Sequence, residues 1–120
     1  MPEILVPELD TLAEGETRKF QFEREGEPLE GFVIRYLGRL FAYANRCPHW
    51  SVDLDMGEGR LFSPLSQRIF CSNHGALFVP DTGYCDAGPC RGLRLERFDW
   101  IAEGTGVRVT IPDQGPRGRW

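Results

Sequence analysis

Cys47-Pro48-His49 and, beyond 21 intervening residues, Cys71-Ser72-Asn73-His74 are the two stretches on which the fold of this chain turns. Each places a soft thiolate and an imidazole within one turn of backbone. Both histidines of the protein fall in these two halves, which makes coincidence a poor explanation. Buried small cysteines beside two incidental histidines would be the plain structural alternative. Two half-sites carried on loop tips can converge on one metal centre. Two thiolates and two imidazoles suit tetrahedral zinc, and they equally suit a [2Fe–2S] cluster ligated asymmetrically. With two thiolates and two neutral imidazoles an oxidised cluster carries no net charge. Four thiolates would leave it doubly negative. The neutral cluster accepts an electron more readily, so imidazole ligation raises the reduction potential.

Outward from these stretches the chain reads as short strands. Phe20 and Phe22 alternate with polar neighbours across Thr17–Glu23. Gly31–Leu37 and Leu40–Arg46 are aromatic and β-branched runs separated by Gly38-Arg39, a hairpin signal with glycine supplying a positive φ. Gln67–Phe70 and Ala76–Val79 predict two further strands, and Pro80-Asp81-Thr82-Gly83 fits a type I turn built on its proline and glycine. Leu93–Ile101 and Val107–Ile111 predict another hairpin around Glu103-Gly104-Thr105-Gly106. Fourteen glycines and nine prolines interrupt these runs at short intervals, as a small all-β fold requires. Any helix should be short and confined to Trp50–Gly59, and the tail Gln114–Trp120 should fray.

A chain of 120 residues is about one domain, and it buries roughly 65% of its unfolded surface. Apolar residues at 41% and aromatics at 12% are ordinary for a globular fold. No uninterrupted apolar run approaches the length of a membrane span. Met1-Pro2-Glu3-Ile4 has neither the basic start nor the apolar run of a signal peptide, so the expected compartment is the cytoplasm. A reducing cytoplasm turns the four cysteines towards metal or redox use rather than a disulfide framework. The net charge of −4 speaks against nucleic-acid binding. Charge is unevenly spread, with nine acids and three bases in residues 1–30 but five acids and six arginines in residues 86–120.

These residues resemble a family. The pattern Cys-x-His followed by Cys-x-x-His is that of the low-potential, soluble Rieske-type [2Fe–2S] ferredoxins. The match extends past the candidate ligands. Ala42-Tyr43-Ala44-Asn45-Arg46-Cys47-Pro48-His49 resembles the first cluster loop, and Cys71-Ser72-Asn73-His74-Gly75-Ala76-Leu77-Phe78 the second. Pro80–Gly83 is similar to the turn that follows, and Gly88-Pro89 to the proline loop covering the cluster. Residues 32 to 111 can be laid onto the family, although the 21-residue spacer is longer than is common in small ferredoxins. The resemblance implies a single Rieske domain over residues 1–120, built of three stacked antiparallel sheets, with a small cluster-binding subdomain at about 46–91. It implies that Cys47 and Cys71 hold the inner iron and His49 and His74 the outer iron near solvent. Gly75 would let backbone N–H groups approach the sulfides.

Two departures place the chain within that family. Quinol-oxidising relatives carry a disulfide cysteine in each ligand loop, whereas the residues here are Trp50 and Ser72-Asn73. They also place a serine and a tyrosine hydroxyl near the cluster, where this chain has Ala76 and Phe78. Fewer hydrogen-bond donors imply a low potential, about −150 mV. Cys85 and Cys90 flank the proline loop and are read as two thiols, able to bridge only if their Cα atoms come within about 7 Å. Trp50, Phe98, Trp100, Phe20 and Phe22 read as packing residues, and Asp53 and Asp55 as caps of a short helix or solvated carboxylates in preference to groups that face a partner. Arg46, Arg68, Arg91 and Arg94 are candidates for a ring around the cluster end that steers an acidic partner.

The resemblance implies a carrier of single electrons, taken from a flavin reductase and given to an oxygenase, with no small-molecule substrate. The alternatives are a non-catalytic subunit of a larger oxidoreductase, such as the small subunit of nitrite reductase, and a zinc-stabilised binding module using the same ligands. Self-contained oxygenase chemistry would need two more histidines and a carboxylate for a mononuclear iron. A thioredoxin-like catalyst is excluded because no Cys-x-x-Cys occurs.

Overall fold

Strands whose successive residues are all apolar must be covered on both faces, and the middle of this chain has two of them. Phe32, Val33 and Ile34 are fully buried in sequence, as are Phe41, Ala42, Tyr43 and Ala44. In the computed structural model, which describes residues 2–48 and 52–115, these runs lie at the centre of a three-layer stack. The strands in chain order are β1 (Glu3–Val6), β2 (Thr17–Arg24), β3 (Glu27–Tyr36), β4 (Arg39–Ala44), β5 (Phe62–Ser63) and β6 (Arg68–Phe70). They continue as β7 (Leu77–Phe78), β8 (Cys85–Ala87), β9 (Arg97–Phe98), β10 (Trp100–Glu103) and β11 (Gly106–Thr110). They form three antiparallel sheets in the orders β1-β11-β10, β2-β3-β4-β9 and β5-β6-β7-β8.

The pleat assigns the side chains to layers, because successive residues of a strand point to opposite faces. One face of the central sheet sends Val33, Ala42, Ala44, Phe20, Phe22 and Phe98 against Val6, Val107, Val109 and Ile111 of the first sheet. The opposite face sends Phe32, Ile34, Phe41 and Tyr43 against Ile69, Phe78, Leu61, Leu95 and all four cysteines. The layer nearest the cysteines also contains the third sheet. Arg24 and Glu96 close the edge of the central sheet through a paired, nearly buried ion bridge at 2.8 and 2.9 Å.

Tyr43 ties the middle layer to the third. Its hydroxyl donates to the Pro80 carbonyl at 2.8 Å, and burial raises its pKa, so it stays a neutral donor. The Val79 carbonyl in turn accepts from the Thr82 and Gly83 N–H groups, which closes the proline turn expected there. A Tyr43→Phe variant leaves the buried Pro80 carbonyl without that donor. It should lower stability by about 1 kcal/mol in urea unfolding.

Several sequence expectations shift. The central hairpin turns at Leu37-Gly38, one residue earlier than Gly38-Arg39, with both residues in the left-handed region at φ 53° and 75°. The Glu14 carboxylate accepts from both of their N–H groups and holds that turn. Leu93–Ile101 is not one strand. Its Arg97–Phe98 segment pairs with β4, and Trp100–Glu103 crosses to the first sheet to pair with β11 around Gly104-Thr105. Among the described residues no helix lies in 52–59, where Asp55 accepts from the Gly57 and Gly59 N–H groups and organises a turn instead. Among the described residues a single 3₁₀ turn occurs elsewhere, at Leu9–Thr11. The tail beyond residue 115 lies outside the described residues, as does Trp50. Phe98, Phe20 and Phe22 are buried as expected, and Trp100 is partly buried against the same core.

Candidate metal centre

Each half-site is a loop closed on itself by backbone hydrogen bonds. The first begins where β4 ends at Ala44. The Asn45 N–H donates to the Glu30 carbonyl at 2.9 Å, and the Cys47 N–H reaches across its loop to the Val52 carbonyl at 2.8 Å. The second begins where β6 ends at Phe70. The Cys71 N–H donates to the Ala76 carbonyl and the Gly75 N–H to the Cys71 carbonyl, both at 2.9 Å. Gly75 closes this loop at φ 73°, a left-handed conformation that a side chain would strain.

Two hydrogen bonds strap the loops together. The Ser72 N–H donates to the Leu54 carbonyl at 2.8 Å, and the Leu54 N–H donates to the Asn45 side-chain oxygen at 2.9 Å. Asn45 is itself buried and donates to both Asp55 and Glu30 at 3.1 Å. Its role was not apparent from the motif. The available signal was an amide ending an otherwise apolar strand two residues before a candidate ligand.

The outcome is convergence. Cys47 and Cys71 are buried, and their sulfurs lie within hydrogen-bonding reach of one another. Cys71 is prepared to be a thiolate. The hydrogen bond from Cys47 lowers its pKa most. Burial opposes this, but the N–H groups of Asn73 and His74 and the charge of His74 add to the lowering, bringing the thiol to about 6. His74 sits exposed at the tip of the same loop. His49 lies outside the described residues. The described residues thus bring Cys47, Cys71 and His74 to one place, two soft sulfur donors inside and an imidazole at the surface. That donor set fits a cluster held by thiolates on one side and histidine on the other.

Cys85 and Cys90 lie in the same core as Cys47 and Cys71. They are in no disulfide, and their sulfurs are 2.9 Å apart. Burial and the neighbouring Cys85 sulfur push the Cys90 thiol up to about 12. Ala76 and Phe78 are buried and offer no hydroxyl. The arginines divide. Arg68 grips Asp86 at 2.9 and 3.0 Å, and Arg46 lies 3.7 Å from Glu27, whereas Arg94 lies over the Tyr84 ring and Arg91 is exposed. Asp55 is fully buried rather than solvated. Among the described residues no helix is long and apolar enough to cross a membrane.

Comparison with known proteins agrees with this geometry. The model of the Rieske [2Fe-2S] domain matches residues 3–99. The ferredoxin of carbazole 1,9a-dioxygenase from Nocardioides aromaticivorans IC177 is 30% identical, with a TM-score of 0.68 over 93% of this chain and 100% of its own. A ferredoxin in complex with the oxygenase of carbazole 1,9a-dioxygenase is 24% identical, with a TM-score of 0.65 over 89% of this chain and 91% of the other. The terminal oxygenase of carbazole 1,9a-dioxygenase from Novosphingobium sp. KA1 shares the fold at 22% identity and a TM-score of 0.67. There the likeness covers 96% of this chain but 31% of the oxygenase. No curated protein sequence matches the chain significantly.

Proposed function

The chain belongs to the Rieske [2Fe-2S] domain family, whose cofactor is a [2Fe–2S] cluster, and from this premise we propose that it is a cytoplasmic carrier of single electrons. In this reading residues 1–120 are one Rieske domain whose cluster-binding part spans about 46–91. Cys47 and Cys71 hold one iron, and His49 and His74 hold the other. The observation that carries the reading is the convergence of Cys47 and Cys71 from two loops strapped through Leu54, with His74 exposed beside them.

The bound cluster supplies reversible one-electron chemistry. The residues of the chain supply the rest. The buried cysteines anchor one side in the core, and Cys71 is drawn towards the anion first by Cys47 and then by backbone donors. The exposed His74 leaves the other side open to a partner. No substrate is bound and no covalent bond is made, so a small and transient docking face suffices. The partners that fit are an electron-donating flavin reductase and an accepting oxygenase. Likeness over 93% of the chain to the carbazole 1,9a-dioxygenase ferredoxin supports the oxygenase as acceptor.

The test is spectroscopic. Protein purified without oxygen should be brown and, on dithionite reduction, give a rhombic EPR signal of low average g. A colourless protein holding one zinc would overturn the reading. The potential should fall at the low end of the Rieske range, about −150 mV, because Ala76 and Phe78 donate no hydrogen bond. Redox titration checks this value, and Ala76→Ser should raise it. A positive wild-type potential would show that donors other than these hydroxyls dominate.

A further inference from the structure

The segment after the proline turn folds back on itself between its two cysteines. Cys85 opens β8, with its N–H bonded to the Leu93 carbonyl at 2.9 Å and its carbonyl accepting from the Gly92 N–H at 3.2 Å. The Leu93 N–H returns to the Cys90 carbonyl at 2.9 Å. These bonds set the two cysteines side by side, and their sulfurs stand 2.9 Å apart. A disulfide needs about 2.05 Å, so closure asks for less than one ångström of movement. Both side chains are buried, but the cover over them is thin. Gly88, Pro89, Arg91 and Gly92 are all exposed.

The pair also abuts both half-sites. A Cβ on Gly88 would lie 2.7 Å from the Ala76 Cα, so the loop rests directly on the residue that closes the Cys71 turn. The Cys90 sulfur lies within hydrogen-bonding reach of Cys47 as well as Cys85. Cys90 donates to Cys85 in this structure. A Cys47 sulfur that has lost its own proton on binding a metal can only accept, so the Cys90 proton would turn to it. That bond stabilises the more negative, reduced cluster and raises its potential. A disulfide has no such proton to give.

We propose that Cys85 and Cys90 are a redox-active dithiol that closes to a disulfide beneath residues 86–89, and that closure lowers the reduction potential of the cluster. The second half rests on the ligand assignment above; the first does not. The oxidant is a small-molecule disulfide. Its S–S bond breaks as the Cys85–Cys90 bond forms, the two cysteine thiols give up two electrons and two protons, and two small thiols leave.

Cluster-loaded protein is equilibrated anaerobically in glutathione buffers of increasing oxidised fraction, then acid-quenched, denatured, alkylated and weighed. The oxidised form should lose the mass of two hydrogens and take up label on two of its four cysteines, with the bridge mapped to the 85–90 peptide. Its potential should lie below that of the dithiol form. A Cys85→Ser or Cys90→Ser chain should show neither glutathione-dependent change. Full labelling at every ratio, or separate glutathione adducts on the two cysteines, would overturn the dithiol. A bridge that leaves the potential unmoved would overturn its influence on the cluster. EPR of the same samples keeps the two claims apart, since a missing Rieske signal counts against the ligand assignment while the thiol count still reads the bridge.

Discussion

Cys71→Ser protein will purify without colour and without the reduced rhombic EPR signal, its cluster content reduced by at least about tenfold. The effect is large because the site is built around an anionic sulfur. In the wild type Cys71 is drawn towards the thiolate by Cys47 and by the N–H groups of Asn73 and His74, despite burial. A serine hydroxyl at the same place remains protonated at neutral pH. Its oxygen is also a harder and shorter donor than the soft iron–sulfur unit prefers. Because cluster binding adds to folding free energy, the variant should also melt at a lower temperature than loaded wild type. Compared with wild-type protein stripped of its cluster, it should melt at nearly the same temperature. A variant that keeps full colour and signal would remove Cys71 from the ligand set.

Asp55→Ala is expected to have the largest effect on stability away from the ligands, about 3 kcal/mol in urea unfolding at neutral pH. The carboxylate is fully buried and every one of its partners is a donor. Lys19 reaches it at 2.8 Å, the Asn45 amide at 3.1 Å, and the Gly57 and Gly59 N–H groups at 3.1 and 2.9 Å. Removing it leaves the Lys19 ammonium and the Asn45 amide donating to Glu30 and takes the acceptor from the Gly57 and Gly59 N–H groups, in the segment that straps Cys47 to Cys71. Cluster loading should therefore fall together with stability.

The pH dependence has a definite sign. Burial alone would raise the Asp55 pKa, but the hydrogen bonds from Lys19, Asn45 and Gly57 outweigh it and hold the folded value below the ordinary 3.8. Its contribution is thus complete above the unfolded value and is lost as pH falls through the folded one. Lys19 is raised above 10.5, chiefly by its bond to Asp55, so its share is complete below that value and lost as pH rises through the folded one. Wild type should lose stability over the variant only in strong acid and strong base. Stability curves for the two proteins that stay parallel from neutral pH down into strong acid, well below the ordinary carboxylate value of 3.8, would refute this account.

Much of the molecule is legible in the residues. The apolar runs around Phe32–Ile34 and Phe41–Ala44 dictate strands, because only a sheet buried on both faces can absorb them. The hairpin between them follows from a glycine-bearing turn. The ligand candidates follow from donor chemistry at close spacing, which involves neighbours along the chain. Register is less local. Leu37 rather than Arg39 enters the turn because pairing of Tyr36 with Arg39 and the Glu14 carboxylate decide the matter, and Glu14 is far away in sequence.

What the sequence alone determined is therefore the all-β class, the central hairpin and the spacing of the two cysteine–histidine pairs, each a consequence of side-chain type repeated or paired within a few residues. Tertiary structure alone decided which sheet each half of Leu93–Ile101 would join, since β4 and β11 compete for it from opposite layers. It alone turned Asp55 from a loop carboxylate into a buried anchor, by bringing Lys19 and Asn45 to it. It also set the sulfurs of Cys85 and Cys90 side by side beneath the loop at Gly88. The physical reason is the same in each case. Periodicity and ligand spacing are written along the chain, whereas the partner of a charge, a thiol or a strand edge is chosen by whatever the fold carries to its side.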